Sequence, residues 1–177
     1  MKLNSLENLY IDQLQDLYDA EQQLVQALPK MANAATSTDL RQGFQQHLEQ
    51  TRTQMQRLER IFADLGKTPT GKRCEAMQGL LKEGDQVIQM QGDPTVKDAA
   101  LIAAAQRVEH YEIAGYGTVR TYADHLGYDD ASSLLQDTLD EEAETDEKLT
   151  SLAEGGLFRT GINEKAVSPS ESSSRMR

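Results

Sequence analysis

"ALIAAAQRVEHYEIAGYGTV", residues 100–119, reads as one helix with a flaw in its buried face. Leu101, Ala105, Val108, Tyr116 and Val119 recur at helical steps, the spacing that lines one side of an α-helix. The position that continues this stripe after Val108 is Glu112, and Glu109 stands one turn earlier on its flank. A buried carboxylate without a partner is costly. The fold has to be read together with whatever compensates these acids.

The stretch belongs to a longer helix that opens at "GDPT", with Asp93 a candidate N-cap and Pro94 at the first helical position. It closes at "HLGYDD", where Gly127 stops it and Asp129 is placed to cap the next helix. That next helix runs to about Leu152, with Leu135, Leu139, Glu142, Asp146 and Leu149 in line. Toward the N-terminus, a first helix covers about Ser5 to Ala34, with Leu14, Leu17, Glu21, Leu24 and Leu28 in line. Pro29 falls inside it and is expected to kink it or shift its end. A second runs from near Asp39 to just before Gly66; its stripe is Leu40, Phe44, His47/Leu48, Thr51, Met55, Leu58 and Phe62.

The first two helices have a short link and must be antiparallel neighbours, as must the last two. Between the pairs lie about 29 residues, Gly66 to Pro94, holding the turn "GKTPTGK" and the amphipathic piece "CEAMQGLLKEGDQVIQM". A helix of about 18 residues covers about 27 Å, enough to carry the chain most of the way along a bundle. The expected fold is all-α: a four-helix bundle with one long crossover containing a short extra helix, the ferritin-like topology. Residues 1–155 form this domain, ended by the "GG" at 155–156. Residues 156–177, with the Ser-rich "SPSESSSRMR", are expected to be a polar, disordered tail.

Composition narrows the function classes. A chain of 177 residues is long enough for one domain with a real core. Its net charge of -11 argues against sequence-independent nucleic-acid binding, which needs phosphate-neutralising Lys and Arg. Cys74 is the only cysteine, which excludes an intrachain disulfide and a Cys-based zinc site. The N-terminal "MKLNSLENLYIDQL" lacks the apolar core of a secretory signal, and no run approaches the roughly 20 apolar residues of a membrane helix. A cytoplasmic protein with no nucleic-acid or membrane partner is expected.

On helical wheels, Glu21 falls between Leu17 and Leu24, Glu112 near the centre of its stripe and Glu109 toward its edge. Glu142 and Asp146 both lie inside the apolar sector, and His47 sits on the shoulder beside Phe44 and Thr51. Every long helix thus turns at least one metal-competent group inward. No Lys or Arg falls on these stripes at the same level. Two divalent cations would bring +4 against the five negative charges, and two trivalent cations +6. Oxygen-rich ligation suits iron or manganese better than zinc or copper, and carboxylates can bridge two metals. The expected cofactor is a dinuclear iron or manganese centre held by Glu21, His47, Glu109, Glu112, Glu142 and Asp146. Two readings stay open for single residues: His47 as ligand or satisfied core histidine, Glu109 as ligand or partner of a ligand. His110 is expected to face solvent and His125 to sit at a helix C-terminus. Tyr18, Tyr111 and Tyr116 are expected in the core.

"LYDAEQQL", "HLEQT", "AALIAAAQRVEHYEIAGYGT" and "TLDEEAETDEKLT" together resemble the bacterial YciF/YciE family of ferritin-like proteins over about residues 3 to 153. The resemblance implies a ferritin-like bundle, usually a dimer, with a rubrerythrin-like dinuclear metal site and a link to general stress responses. Carried over, it implies Glu21, the His47 region, Glu109, Glu112, Glu142 and Asp146 as ligands. Two departures stand out. The Glu-x-x-His of ferritin-like sites is missing, since Glu49 is followed by Arg52 and Glu142 by Thr145; and Gln50 stands where the family commonly has an acid in "HLEET".

Three functions follow as expectations. The first is a di-metal protein that reacts with peroxide or dioxygen, by detoxifying peroxide or oxidising Fe(II). The second is a non-enzymatic helical stress protein that acts as a dimeric binding or structural module. The third, iron storage, would need a closed shell of many subunits.

Overall fold

The computed structural model describes residues 4–156 and 159–167. Helices α1 (Leu6–Ala34) and α2 (Thr38–Asp64) form one antiparallel hairpin; α4 (Pro94–Leu126) and α5 (Asp129–Glu154) form the other. The crossover carries α3 (Glu75–Gln89), which lies against α1 and α4. The bundle closes because α1 also packs on α4 and α2 on α5. This is the expected all-α bundle with one long crossover. Among the described residues no helix is long and apolar enough to cross a membrane.

Helix boundaries follow local chemistry. Ser5 caps α1 by accepting from the Asn8 amide, and Ser37 caps α2 by accepting from Leu40. Asp93 caps α4 through the amides of Thr95 and Val96, with Pro94 opening the helix as expected. Gly127 ends α4 in the left-handed region, φ 73°, which a side chain would resist. One expectation fails here. Asp129 is not the cap of α5: that position is Tyr128, with no side-chain cap, because the link is so short that Asp129 is already helical. Pro29 lies inside α1, which runs on through it to Ala34, so of the two outcomes expected for it the helix end is not shifted.

The folded chain continues past the boundary expected at residue 155. Gly155–Gly156 (β1) pairs antiparallel with Arg159–Thr160 (β2), and a short α6 (Ile162–Val167) packs on α4 and α5. Ile162 is buried there, which ties this segment to the core. The expected disorder of "SPSESSSRMR" concerns residues 168–177, which lie outside the described residues.

The core comes in two apolar bodies. One gathers Leu24 and Leu28 of α1, Leu40 and Phe44 of α2, Leu101 and Val108 of α4, and Leu149 of α5. The other gathers Leu14 and Leu17, Leu58 and Ile61, Tyr116 and Val119, and Leu135. Each long helix passes from one body to the other, and what lies between on each is polar and buried: Glu21; His47, Thr51 and Gln54; Glu109 and Glu112; Thr138, Glu142 and Thr145. The bundle has a polar waist. Close packing of α1 on α4 borders it: a Cβ at Gly115 would lie 2.7 Å from Cδ2 of Leu17.

Candidate metal centre

Four helices deliver the waist. Glu21 comes from α1, His47 from α2, Glu109 and Glu112 from α4 and Glu142 from α5; none is more than 3% exposed. His47, Glu109, Glu112 and Glu142 each offer one ligand atom, and these atoms all lie within 4.8 Å of one another. The imidazole sits centrally: Nδ1 is 3.3 Å from Oε1 of Glu109, and Nε2 is 3.6 Å from Oε2 of Glu142. Glu21 joins from the side, with the buried Tyr116 phenol donating to its Oε1.

Most of these polar atoms have nothing to bond to. Both oxygens of Glu112 and Glu142, Oε2 of Glu21, Oε2 of Glu109 and Nε2 of His47 are buried without a hydrogen-bond partner. Buried polar atoms are nearly always satisfied, so a cluster of orphans around one point marks a place for a ligand. Burial holds the carboxyls of Glu21, Glu109 and Glu112 well above the usual carboxylate range. Neighbouring carboxylates add to this, Glu142 foremost for Glu21 and Glu109, and Glu21 for Glu112. The guanidinium that acts on Glu21 belongs to Arg57, and it is already held in a fork by Glu141, at 2.6 and 2.7 Å. A positive charge placed among the orphaned atoms would reverse all three shifts. The donor set, several carboxylates and one imidazole, is one that iron or manganese accepts.

Of the six residues expected from the sequence, the structure brings five to the waist and leaves one outside. Asp146 is 21% exposed; its Oδ1 accepts from Nε2 of Gln106 at 3.1 Å, and its Oδ2 lies 3.4 Å from Nε2 of His110. Four residues advance a helix by about 400°, so Asp146 is rotated from Glu142 toward the α4–α5 seam, where those two side chains engage it. The departures noted in the sequence also find a place. Glu49 pairs with Arg52 on the exposed side of α2, and Thr145 donates to the carbonyl of Glu141. His47 supplies the imidazole instead, and with Thr51 it is the part of "HLEQT" that is buried.

Sequence reasoning missed two neighbours. Gln54, buried and donating to Glu141, follows His47 and Thr51 at helical spacing but is hidden by its polarity. Cys74 is buried, with Sγ 2.9 Å from the Tyr111 hydroxyl, which donates to Asp16. As the residue before α3, it carries no periodic signal.

Comparison with known proteins fits this architecture. Residues 5–166 match the family described as a domain of unknown function, DUF892. Protein YciF of Escherichia coli K12 is 46% identical over 164 residues, covering 92% of this chain and 99% of YciF. The crystal structure of the E. coli stress protein YciF superposes with a TM-score of 0.82, covering 84% of this chain and 94% of that one. YcfI of Rhodopseudomonas palustris, for which a structural role has been suggested, is also 46% identical, with a TM-score of 0.83 and coverage of 86% and 97%. The chain therefore belongs to the DUF892 family and is a homologue of YciF.

Proposed function

We propose that this chain is a metal-dependent stress protein whose waist holds a dinuclear iron or manganese centre that reacts with peroxide or dioxygen. The observation that carries this reading is the set of orphaned oxygens around His47. With Asp146 outside, the waist holds four carboxylates, Glu21, Glu109, Glu112 and Glu142. Two divalent cations would neutralise them completely. Glu109 and Glu112 present two carboxylates one turn apart on α4 and would help to hold the cations. Tyr116 fixes Glu21 by a hydrogen bond, and Arg57 with Glu141 closes the α2–α5 side. Bound iron or manganese would supply open coordination positions for an O–O bond and a change of oxidation state. The two apolar bodies keep bulk water from the waist.

Metal analysis after growth in replete medium tests it. The expected content is about two iron or manganese ions per chain, the stoichiometry of di-metal bundle sites, and Glu112→Ala should lose most of it. Background metal in the unaltered protein would remove the proposal. The working unit is proposed to be a dimer located in the cytoplasm; light scattering should give the mass of two chains rather than of a cage.

A second reading takes support from the structural role suggested for YcfI. In it the chain is a non-enzymatic helical module whose waist carboxyls stay protonated. Thermal melting separates the two: a melting temperature unchanged by thorough removal of metal favours the module.

A further inference from the structure

Outside the waist, along the α4–α5 seam, lies a second set of donor atoms. Asp146 stands one turn beyond Glu142, its side chain about four-fifths buried, and its carboxylate is oriented rather than free. Nε2 of Gln106 donates both to Oδ1 of Asp146, at 3.1 Å, and to Oγ1 of Thr150, at 2.9 Å. That leaves Oδ2 facing Nε2 of His110 at 3.4 Å, with the His110 side chain 69% exposed. The next residue inward on α4 is Glu109, 1% exposed, whose Oε2 has no partner and whose Oε1 touches His47. Asp146 is close enough to contribute to the raised Glu109 carboxyl. Exposure thus falls stepwise from His110 through Asp146 to Glu109, with a nitrogen or oxygen donor at every step.

We propose that His110 and Asp146 form a capture site for a divalent transition-metal cation, which is passed from there to Glu109 and the waist. This rests on the reading of the waist as a metal centre. Two donors 3.4 Å apart can both reach one cation at bond lengths of about 2.1 Å. One imidazole and one carboxylate bind such an ion more weakly than the donors of the waist do, which a transfer site requires. A cation must shed water to enter an apolar bundle, and an oriented carboxylate about four-fifths buried begins that exchange at the edge of the surface. Glu109, adjacent in sequence to His110 and bare at Oε2, is the carboxylate placed to receive it. An ordinary surface ion pair needs neither the Gln106 clamp nor an orphaned acid behind it.

The experiment is stopped-flow uptake of Co(II) by the metal-stripped full chain, read by the visible absorption of bound cobalt. Uptake is compared for the unaltered protein, Asp146→Asn and His110→Gln. Equilibrium stoichiometry is measured in parallel by dialysis. Expected is uptake slowed about tenfold or more in each variant, the lower range of electrostatic gains in on-rate, with unchanged stoichiometry and circular dichroism. Unchanged rates in both variants would overturn the capture site while leaving the metal centre standing. Loss of cobalt at equilibrium in Asp146→Asn would also overturn it, by making Asp146 a ligand of the centre. No cobalt in the unaltered protein would overturn the metal centre and this inference together.

Discussion

Glu21 has one carboxylate oxygen bonded to the Tyr116 phenol and the other bare. The phenol is a neutral donor that burial and the Glu21 charge keep protonated, its pKa held well above the ordinary tyrosine value. Removing it leaves a fully buried acid with no partner at all. Tyr116→Phe should cost the stripped protein about 1–3 kcal/mol, the usual penalty for an abandoned buried acceptor. The measurement is a urea midpoint at constant slope, and an unshifted midpoint would show that Glu21 does not depend on this bond. Cys74 makes a second test at this scale. It is wholly buried, and burial pushes its thiol up from the ordinary value. Alkylation by iodoacetamide needs an exposed thiolate, so the native chain should react at least roughly a hundredfold more slowly than the urea-unfolded chain, a factor of ten per 1.4 kcal/mol of opening. Comparable rates would place Cys74 at the surface.

Helices are where the sequence was most readable and where its errors have the clearest causes. Asp93, Pro94 and Gly127 mark the ends of α4 in the structure as they do in the sequence, because caps are local chemistry. Stripe phase is less secure. In α2 the buried line runs Leu40, Phe44, His47, Thr51, Gln54, Leu58, Ile61 and Phe62. Reading hydrophobicity alone places Met55 in it and leaves out Gln54 and Ile61. Asp146 lies outside the waist for a related reason: a wheel gives angle but not which neighbouring helix catches a side chain. Long-range ties are invisible to periodicity altogether. Asp98 of α4 is buried and accepts from the amides of Thr36, at 2.8 Å, and Ser37, at 2.7 Å, fastening the α1–α2 turn to the start of the second hairpin. Hydrogen bonds to a charged acceptor contribute about 1.5–3 kcal/mol each, less where water can replace them. Asp98→Ala should therefore destabilise the chain by about 2–3 kcal/mol without changing metal content. Equal melting of the variant and the unaltered protein would mean the turn is held by something else.

For the whole molecule, the polar waist between two apolar bodies couples folding to protons and to metal with opposite signs. Glu21, Glu109 and Glu112 have carboxyls raised by folding. The folded chain therefore holds more protons than the unfolded one above the ordinary carboxyl range, near pH 4.3. Their contribution is present in full at acid pH and is lost as pH climbs through the raised values. Bound cations need the ionised carboxylates, so metal binding releases protons and strengthens with pH. The stripped protein should melt at progressively lower temperature from about pH 5 to pH 8, while the stabilisation added by iron or manganese grows over the same window. The net charge of -11 also disfavours the compact state as acids ionise, so the slope alone does not single out the waist. Glu112→Gln does. The amide keeps the shape and removes one titrating group from the centre, so it should flatten the pH slope of the stripped protein while nearly abolishing the metal-dependent gain. Differential scanning fluorimetry of both proteins, with and without metal, reads the two effects at once. A stripped protein whose melting temperature rises toward pH 8, or a Glu112→Gln variant with the same slope and the same gain, would show that the waist does not couple protons to metal.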